Sequence, residues 1–186
     1  METITTPRNP NLTDDPDLRD KPAERVMRKV MKTIARRDFC TLATVSPAGR
    51  PHVAGVVYSA VGSSLWIHTL TTSRKARNAV ANPHVAVSIP FRRLPAGPPF
   101  TIHFQARAEL VAMDDAKVID LVERGDLKAI AGHGALDMAD GVFVEIVPTG
   151  TIHSYGPGAR TIDLIRDPLN HGAASFRLQD TTEDVR

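Results

Sequence analysis

The chain of 186 residues has a single cysteine, few aromatic residues and no long apolar run. One cysteine, Cys40, cannot form an intrachain disulfide, which is compatible with a reducing compartment. Because Cys40 lies in the apolar run FCTLATV, we interpret it as a small buried hydrophobic residue rather than a nucleophile. No stretch has the length of a membrane span, and residues 1–20 contain no apolar signal-peptide core. We therefore expect a cytoplasmic protein.

Strong charge and the common catalytic motifs are also missing. The formal net charge is +2, with 24% charged residues, which is too mild to indicate nucleic-acid binding by itself. The sequence contains no GxGxxG, Walker loop, HExxH, Cys-x-x-Cys or nucleophile elbow. A metal site would have to assemble across strands, so we interpret the histidines of the predicted strands as surface residues: His52, His68, His84, His103 and His153. His133, between two glycines, is a loop histidine that could line a pocket.

The chain divides into a flexible arm (1–20), one domain (21–155) and a C-terminal tail (156–186). The arm is polar and rich in proline and aspartate. A helix capped by Asp20 is predicted to follow, because apolar residues recur at spacings of three and four between Val26 and Ile34. Basic residues fill its other face, which is typical of a solvated helix. A helix that binds nucleic acid or a membrane surface is the alternative.

From residue 39 onwards the sequence predicts β-structure. Short runs of β-branched and aromatic residues are separated by turn signals such as SPAGR. Residues 100–110 alternate, with Ile102 and Phe104 on the inner face and His103 and Gln105 on the outer face. We expect about six strands, closed as a small antiparallel barrel, because closure removes exposed edges. The turn AVGSS should join two strands, a helix capped by Asp114 should end at Gly125, and no strand is predicted in the tail.

One stretch, TTSRKARNAV, breaks a local rule. Ser73 stands where a helix N-cap is expected, and Asn82-Pro83 ends the helix after about two turns. Arg74 and Lys75 then lie in the first turn, where cations oppose the helix dipole. A bound dianion would reverse that penalty, because a helix N-terminus offers unpaired N–H groups to phosphate. A solvated basic turn is the alternative. A proline-rich loop with Arg92 and Arg93 could likewise form either a plain connection or the rim of an anion pocket.

The order of these parts resembles the pyridoxamine 5′-phosphate oxidase-like flavin-binding split-barrel family, including its deazaflavin (F420)-dependent relatives. The resemblance covers residues 25–150 and is most specific in the run strand, SRKARN, Asn-Pro, strand. It implies a mainly β fold, a six-stranded antiparallel split β-barrel with peripheral helices. It also implies a homodimer that holds FMN or F420 at the subunit interface. The cofactor-binding residues it implies are Ser73, Arg74 and Lys75 at the phosphate, with Asn78 nearby, His68 and Thr69 by the ribityl chain, and Val56 and Tyr58 along the ring.

The sequence departs from the oxidase proper in three places. The tail SFRLQDTTEDVR lacks the tryptophan- and arginine-rich substrate motif, Phe100 stands where a glutamine is expected, and Tyr58 stands where a basic residue is expected. Vitamin B6 oxidation is therefore not the predicted activity. We expect an FMN- or F420-dependent oxidoreductase acting on a small molecule, with Tyr58 or a pocket histidine as the first candidate for any acid–base role. The alternatives are a non-catalytic flavin- or haem-binding protein and a basic protein that binds nucleic acid.

Overall fold

A computed structural model describes residues 16–92, 99–132, 134–157 and 173–177 of the chain. The helices are α1 (Pro16–Arg36), α2 (Arg74–Ala81), α3 (Ala116–Glu123) and α4 (Lys128–Ala131), with a 3₁₀ turn at Ala135–Asp137. The strands are β1 (Phe39–Val45), β2 (Pro51–Val57), β3 (Ser59–Val61), β4 (Ser64–Leu70), β5 (His84–Phe91), β6 (Phe100–Val111), β7 (Gly141–Tyr155) and β8 (Ala173–Arg177).

The described strands form one antiparallel sheet of eight, in the order β2-β1-β5-β6-β7-β4-β3, with β8 paired to β7. Long β7 pairs with β6 along most of its length, with β4 through its first half and with β8 through its last five residues. The sheet curls into an open half-barrel in which β2 and β3, although neighbours in the chain, stand at opposite ends of the order. The predicted class, a mainly β antiparallel split barrel with peripheral helices, is confirmed, with eight strands instead of six.

Two short strands account for the difference in number. Ala60 and Val61, expected to begin the turn AVGSS, instead form β3 together with Ser59, and β3 pairs with β4. The tail, in which no strand was expected, contributes β8 through Ala173–Arg177. Both strands are short and depend on a neighbour that is already in place for their hydrogen bonds, so their own sequence carries little signal. The domain boundaries stay predictions, since residues 1–15 and most of the tail lie outside the described residues.

The main core fills the inside of the curled sheet. Alternation along β6 places Ile102, Phe104 and Ala106 inside and His103 and Gln105 outside, as predicted from the sequence. Helix α1 packs against the sheet and adds Val30 and Ile34 to this core. A second, smaller core lies between α3, α4 and the sheet, and its largest members are Trp66 and Phe143.

The helix ends follow local chemistry, with two corrections. Helix α1 begins at Pro16, so the prediction that Asp20 caps it is wrong, and Asp20 lies inside the helix. Helix α3 is capped by Asp115 rather than Asp114, because the carboxylate of Asp115 accepts a 2.8 Å hydrogen bond from the Lys117 N–H. Gly125 follows its end with φ +75°, a conformation that favours glycine at a helix C-terminus. None of the helices in the described ranges is long and apolar enough to cross a membrane.

Candidate cofactor site

Ser73 caps helix α2, as the sequence predicts. Its backbone is extended, and its hydroxyl oxygen accepts a 3.3 Å hydrogen bond from the N–H of Ala76. The same oxygen accepts a 3.1 Å hydrogen bond from the hydroxyl of Thr69 at the end of β4. Because Ser73 accepts both of these bonds, its own hydroxyl hydrogen is left to donate to a ligand. Thr69 is itself buried, so the strand end and the helix start are fixed relative to each other.

The first turn of α2 is entirely without acidic residues. The side chain of Arg74 is exposed and that of Lys75 is half-buried. Within the part of the chain that the structure describes, neither cation forms an ion pair or hydrogen bond. We call Thr69, Ser73, Arg74 and Lys75 the Ser73 cluster. It combines free N–H groups, one available hydroxyl and two unpaired cations, which is the donor set that binds a phosphate.

One acidic side chain lies at the edge of the Ser73 cluster. The carboxylate of Asp140 accepts a 3.3 Å hydrogen bond from the hydroxyl of Thr72, and its carbonyl accepts from the N–H of Thr71. These two contacts fasten the loop between β4 and α2 to the start of β7. Asp140 is exposed, so water screens its effect on an anion bound at the helix start.

Asn78 faces the sheet rather than solvent. Its side chain is buried, and its amide nitrogen donates a 2.9 Å hydrogen bond to the hydroxyl of Thr44 on β1. His52 on β2 lies directly opposite Thr44 in the register, and its Nδ1 atom is buried without a hydrogen-bond partner. Asn78 therefore anchors the helix that carries the Ser73 cluster, while His52 brings an unpaired nitrogen to the same face of the sheet.

Val56 and Tyr58 lie in the main core. Tyr58 is 1% exposed, and its hydroxyl donates a 2.8 Å hydrogen bond to the carbonyl of Ile34 on α1. Burial, assisted by the neighbouring Cys40 and Asp38, raises the pKa of the Tyr58 hydroxyl far above its ordinary value. This placement gives Tyr58 a structural contact and does not favour the acid–base role expected from the sequence.

His68, near the end of β4, is half-buried beside the start of β7. Its ring meets that of Phe143 edge-on, with 5.2 Å between centroids, and its Nε2 atom is buried without a partner. Burial lowers the pKa of the His68 imidazole, which favours the neutral form of the ring. Gly141 makes this fit possible, because a Cβ atom there would lie 2.8 Å from Nε2.

A groove of about 870 Å³ runs across the outer face of the sheet. The side chains that line it on β1, β5, β6 and β7 include Thr41, Ala43, Ser88, His103, Gln105 and His153. We call it the outer groove. A smaller depression of about 360 Å³ shares Ala43, Gln105 and Thr149 with it and also reaches Thr44, the partner of Asn78. The buried Thr44 alternates with Thr41 and Ala43 along β1, so α2 is anchored on the face of β1 opposite the outer groove.

Two histidines meet in the outer groove. His103 on β6 and His153 on β7 are register partners, and their rings stack with centroids 5.3 Å apart and planes 18° apart. The Nδ1 atom of His153 lies 2.8 Å from the hydroxyl oxygen of Ser175 on β8. The sequence predicts a strand around each of these histidines but does not pair them, because they are far apart along the chain and only the folded sheet sets their register. In the described residues, no three histidine, cysteine or acidic side chains come together as a metal site.

Cys40 and the loop candidates, His133 with the Arg92–Arg93 rim, are the remaining residues singled out from the sequence. Cys40 is fully buried, and burial raises the pKa of its thiol to about 12, which confirms it as a hydrophobic core residue rather than a nucleophile. His133 and Arg93 lie outside the described residues. Arg92 is described, and its carbonyl accepts a 3.4 Å hydrogen bond from the guanidinium of Arg37.

The family comparison agrees with this architecture. The family model described as pyridoxamine 5′-phosphate oxidase matches residues 26–149, from α1 to the second half of β7. The chain therefore belongs to the pyridoxamine 5′-phosphate oxidase family. A comparison with curated proteins gave no match.

Solved structures share the fold at low sequence identity. The haem storage protein HutZ from Vibrio cholerae has a TM-score of 0.58 at 20% identity, covering 69% of this chain and 93% of HutZ. A haem-binding protein from Mycobacterium smegmatis has a TM-score of 0.61 at 17% identity, covering 83% of this chain and 57% of that protein. An FAD-binding protein from Mesorhizobium loti has a TM-score of 0.56 at 19% identity, covering 69% of this chain and 90% of that protein. These similarities establish the split-barrel fold.

Proposed function

We propose that this protein is a flavin- or deazaflavin-dependent oxidoreductase that binds FMN or F420 through the cofactor's phosphate. The Ser73 cluster is the observation that carries the proposal, because it presents two unpaired cations at a capped helix N-terminus. A bound FMN or F420 would supply the redox chemistry at its ring. The chain's own residues would bind and orient the cofactor, and the substrate would be a small molecule.

The donor set of the Ser73 cluster fits a phosphate in number and in charge. The Ser73 hydroxyl already accepts two hydrogen bonds and can donate one, while Arg74 and Lys75 have no described partner to give up. A charge-assisted hydrogen bond contributes about 1.5–3 kcal/mol net. Three such bonds would supply much of a micromolar affinity, about 8 kcal/mol, before the cost of association is subtracted.

The first experiment identifies the cofactor. The visible spectrum of purified protein is recorded, and any released chromophore is identified by mass. Colourless protein is titrated separately with FMN and with F420, since an expression host need not make the latter. Binding of either below about 100 μM supports the proposal, and failure of both to bind in that range overturns it.

The second experiment tests the Ser73 cluster. The double substitution Arg74→Ala with Lys75→Ala should weaken FMN or F420 binding at least about 100-fold, because two charge-assisted contacts are lost. The matched control removes two exposed cations from α1, Arg25→Ala with Arg28→Ala, and keeps the same change in net charge. Equal affinity of the two double variants would show that the cluster does not hold the phosphate.

We also propose that the protein forms a homodimer that pairs through the β1–β2 end of the outer face of the sheet. Three large apolar side chains are exposed there on β1 and β2, namely Phe39 at 48%, Val53 at 61% and Val57 at 49%. Phe39 and Val57 are register partners, so they form one patch beside the outer groove. A contiguous exposed apolar patch of this kind is typical of a protein interface.

Sedimentation of wild type and a Val53→Asp variant tests the homodimer. Wild type should sediment as a dimer and Val53→Asp as a monomer, because a carboxylate would be desolvated in the interface. Ile119→Asp on α3 is the control, since Ile119 is also exposed, at 45%, but lies on another element. A wild-type monomer, or a dimer that survives Val53→Asp, would contradict this arrangement.

Haem binding is the second candidate function. The observation that favours it is a groove of about 870 Å³ in which two exposed imidazoles, His103 and His153, face outward. Neutral imidazole is a common axial ligand of haem iron. Titration of wild type with haemin should then give a Soret band. The band should be lost in His103→Ala or in His153→Ala. It should be kept in the double variant Arg74→Ala with Lys75→Ala. No Soret shift on haemin addition would exclude this candidate.

A further inference from the structure

We propose that His103 and His153 together form a binding site for a divalent late transition-metal cation, with Cu²⁺ and Zn²⁺ as the best fits. The proposal goes beyond cofactor binding, because it concerns a free cation held by the protein's own side chains. It depends on the pairing of β6, β7 and β8 and does not rest on the proposed oxidoreductase function.

The register of the sheet brings the two imidazoles to one point. His103 and His153 lie directly opposite each other on antiparallel strands, so both side chains emerge on the outer face. Both residues are exposed, and both line the outer groove. A cation can therefore reach them from solvent without any rearrangement of the backbone.

The separation of the rings matches a chelate with both nitrogens on one cation. An imidazole nitrogen binds Zn²⁺ at about 2.0–2.1 Å, which places the cation about 3.2 Å from the ring centroid. Two rings bound at a tetrahedral angle then have centroids about 5.2 Å apart. The observed separation is 5.3 Å. His153 keeps the orientation that its contact with Ser175 gives it, and the His103 ring need only turn about its Cβ–Cγ bond, whose torsional well is broad.

Ser175 contacts one of the two proposed ligands. The Nδ1 atom of His153 is 2.8 Å from the Ser175 hydroxyl oxygen. When Nδ1–H donates to that oxygen, the lone pair for a metal is left on Nε2. Metal-binding histidines usually donate their other ring N–H in this way, and the contact orients the ring and raises its basicity. Ser175 is therefore a positioning residue for the site.

The ligand set selects the class of cation. The register partners of the two histidines are Ser88 and Ser175, and no carboxylate is among them. Hard cations such as Ca²⁺ and Mg²⁺ prefer oxygen ligands, whereas imidazole suits Zn²⁺, Cu²⁺ and Ni²⁺, with Cu²⁺ bound most tightly. Two protein ligands leave positions open for water or for a small molecule in the groove.

The same geometry separates this site from haem ligation. Two axial imidazoles on one iron lie on opposite sides of the porphyrin, with centroids about 6.4 Å apart by the same metal–nitrogen distance. At 5.3 Å, with no porphyrin between them, His103 and His153 are too close for that arrangement. A haem could use only one of them, while a free cation can use both.

Calorimetric titration of untagged, full-length protein with CuSO₄ or ZnCl₂ tests the site. Wild type should bind one cation per chain at this site, or one per two chains if two copies share it. His103→Ala and His153→Ala should each weaken that binding at least tenfold. The matched control, His84→Ala, removes an exposed histidine from the neighbouring strand β5 and should leave the affinity unchanged.

Two further readouts separate direct ligation from a structural effect. The electron paramagnetic resonance spectrum of bound Cu²⁺ should show coupling to imidazole nitrogens that is reduced in each histidine variant. Ser175→Ala should weaken binding roughly tenfold or more while both histidines remain. Far-ultraviolet circular dichroism checks that the variants fold, which is expected because all three residues are on the surface.

The metal titrations either support or overturn the two-histidine site. Loss of binding in both histidine variants, with retention in His84→Ala, supports the site whether or not FMN or F420 binds. Absence of wild-type binding below about 100 μM overturns it. Retention of full affinity in either His103→Ala or His153→Ala overturns it as well, since the two rings would not act as a pair.

Discussion

Asn78 on helix α2 donates a 2.9 Å hydrogen bond to the hydroxyl of Thr44 on strand β1, and both residues are almost completely buried. The bond joins the helix that presents the Ser73 cluster to a strand whose other face lines the outer groove. Since a buried polar group without a partner is costly, each side chain requires the other. This pair therefore sets the position of α2 on the sheet.

Breaking that bond should destabilise the protein. Asn78→Ala and Thr44→Val should each lower the free energy of unfolding by about 1–3 kcal/mol, because each leaves a buried polar group unpaired. The double variant should lose less than the sum of the two, with a coupling energy of about 0.5–3 kcal/mol. Urea denaturation of the four proteins measures this cycle. Strictly additive losses would show that the bond does not couple the helix to the sheet.

Substitutions at Ser73 should separate capping from cofactor binding. Ser73→Asp keeps a good N-cap and should retain the stability of wild type, whereas Ser73→Ala should lose about 0.5–2 kcal/mol. Both should weaken FMN or F420 binding, and Ser73→Asp should weaken it more, because a carboxylate repels the phosphate. Thermal unfolding and cofactor titration give the two quantities. Wild-type cofactor affinity in Ser73→Asp would place the phosphate elsewhere.

A methyl group at Gly156 should be poorly tolerated. Gly156 has φ +100°, and a Cβ atom there would lie 1.9 Å from the ring of Phe100, which is 1% exposed. Gly156→Ala should cost about 2–4 kcal/mol through backbone strain and overpacking together. Gly150→Ala is the matched control, because Gly150 has φ +69° but no atom within 4 Å of the added Cβ. Urea denaturation should show a clearly smaller loss for Gly150→Ala, and equal losses would argue against the Phe100 contact.

His68 should make the protein sensitive to mild acid. Burial lowers the pKa of its imidazole in the folded state, so below about pH 6.5 the unfolded chain binds this proton more readily. The contribution of His68 to stability is therefore complete above that pH and is lost as the pH falls through the folded pKa. His68→Gln removes the titrating group, so its free energy of unfolding should fall less steeply between pH 7 and pH 5.

Urea denaturation at several pH values measures the two slopes. At pH 8, His68 is neutral in both the folded and the unfolded state. The difference in the free energy of unfolding between wild type and His68→Gln at that pH is therefore the pH-independent cost of the substitution. Parallel slopes for wild type and His68→Gln would contradict the buried position of the Nε2 atom.

Much of the fold could be predicted from local patterns in the sequence. Alternation along β6 identified the inner face, and the turn SPAGR identified a hairpin, which closes with a 2.8 Å hydrogen bond from Gly49 to Ser46. Strands β3 and β8 were missed because neither carries a hydrophobic pattern long enough to predict a strand. Their hydrogen bonds come from β4 and β7, which lie beside them only after folding.

In the candidate site, too, some features could be predicted from the local sequence and others could not. Ser73, Arg74 and Lys75 were recognisable because a helix cap and its first turn are adjacent in the chain. The hydrogen bond from Tyr58 to Ile34 was not predictable, because Ile34 lies on α1 and becomes a neighbour of Tyr58 only in the folded chain.

The sequence by itself determined the strands with clear alternation, the capped start of α2 and the cations placed there. Those features depend on backbone conformation and side-chain chemistry within a few residues. The tertiary structure alone decided that Asn78 faces Thr44, that Tyr58 is buried and that His103 stacks on His153. Each of those contacts joins distant segments, so it depends on which strands pair and in what register, which non-local packing decides.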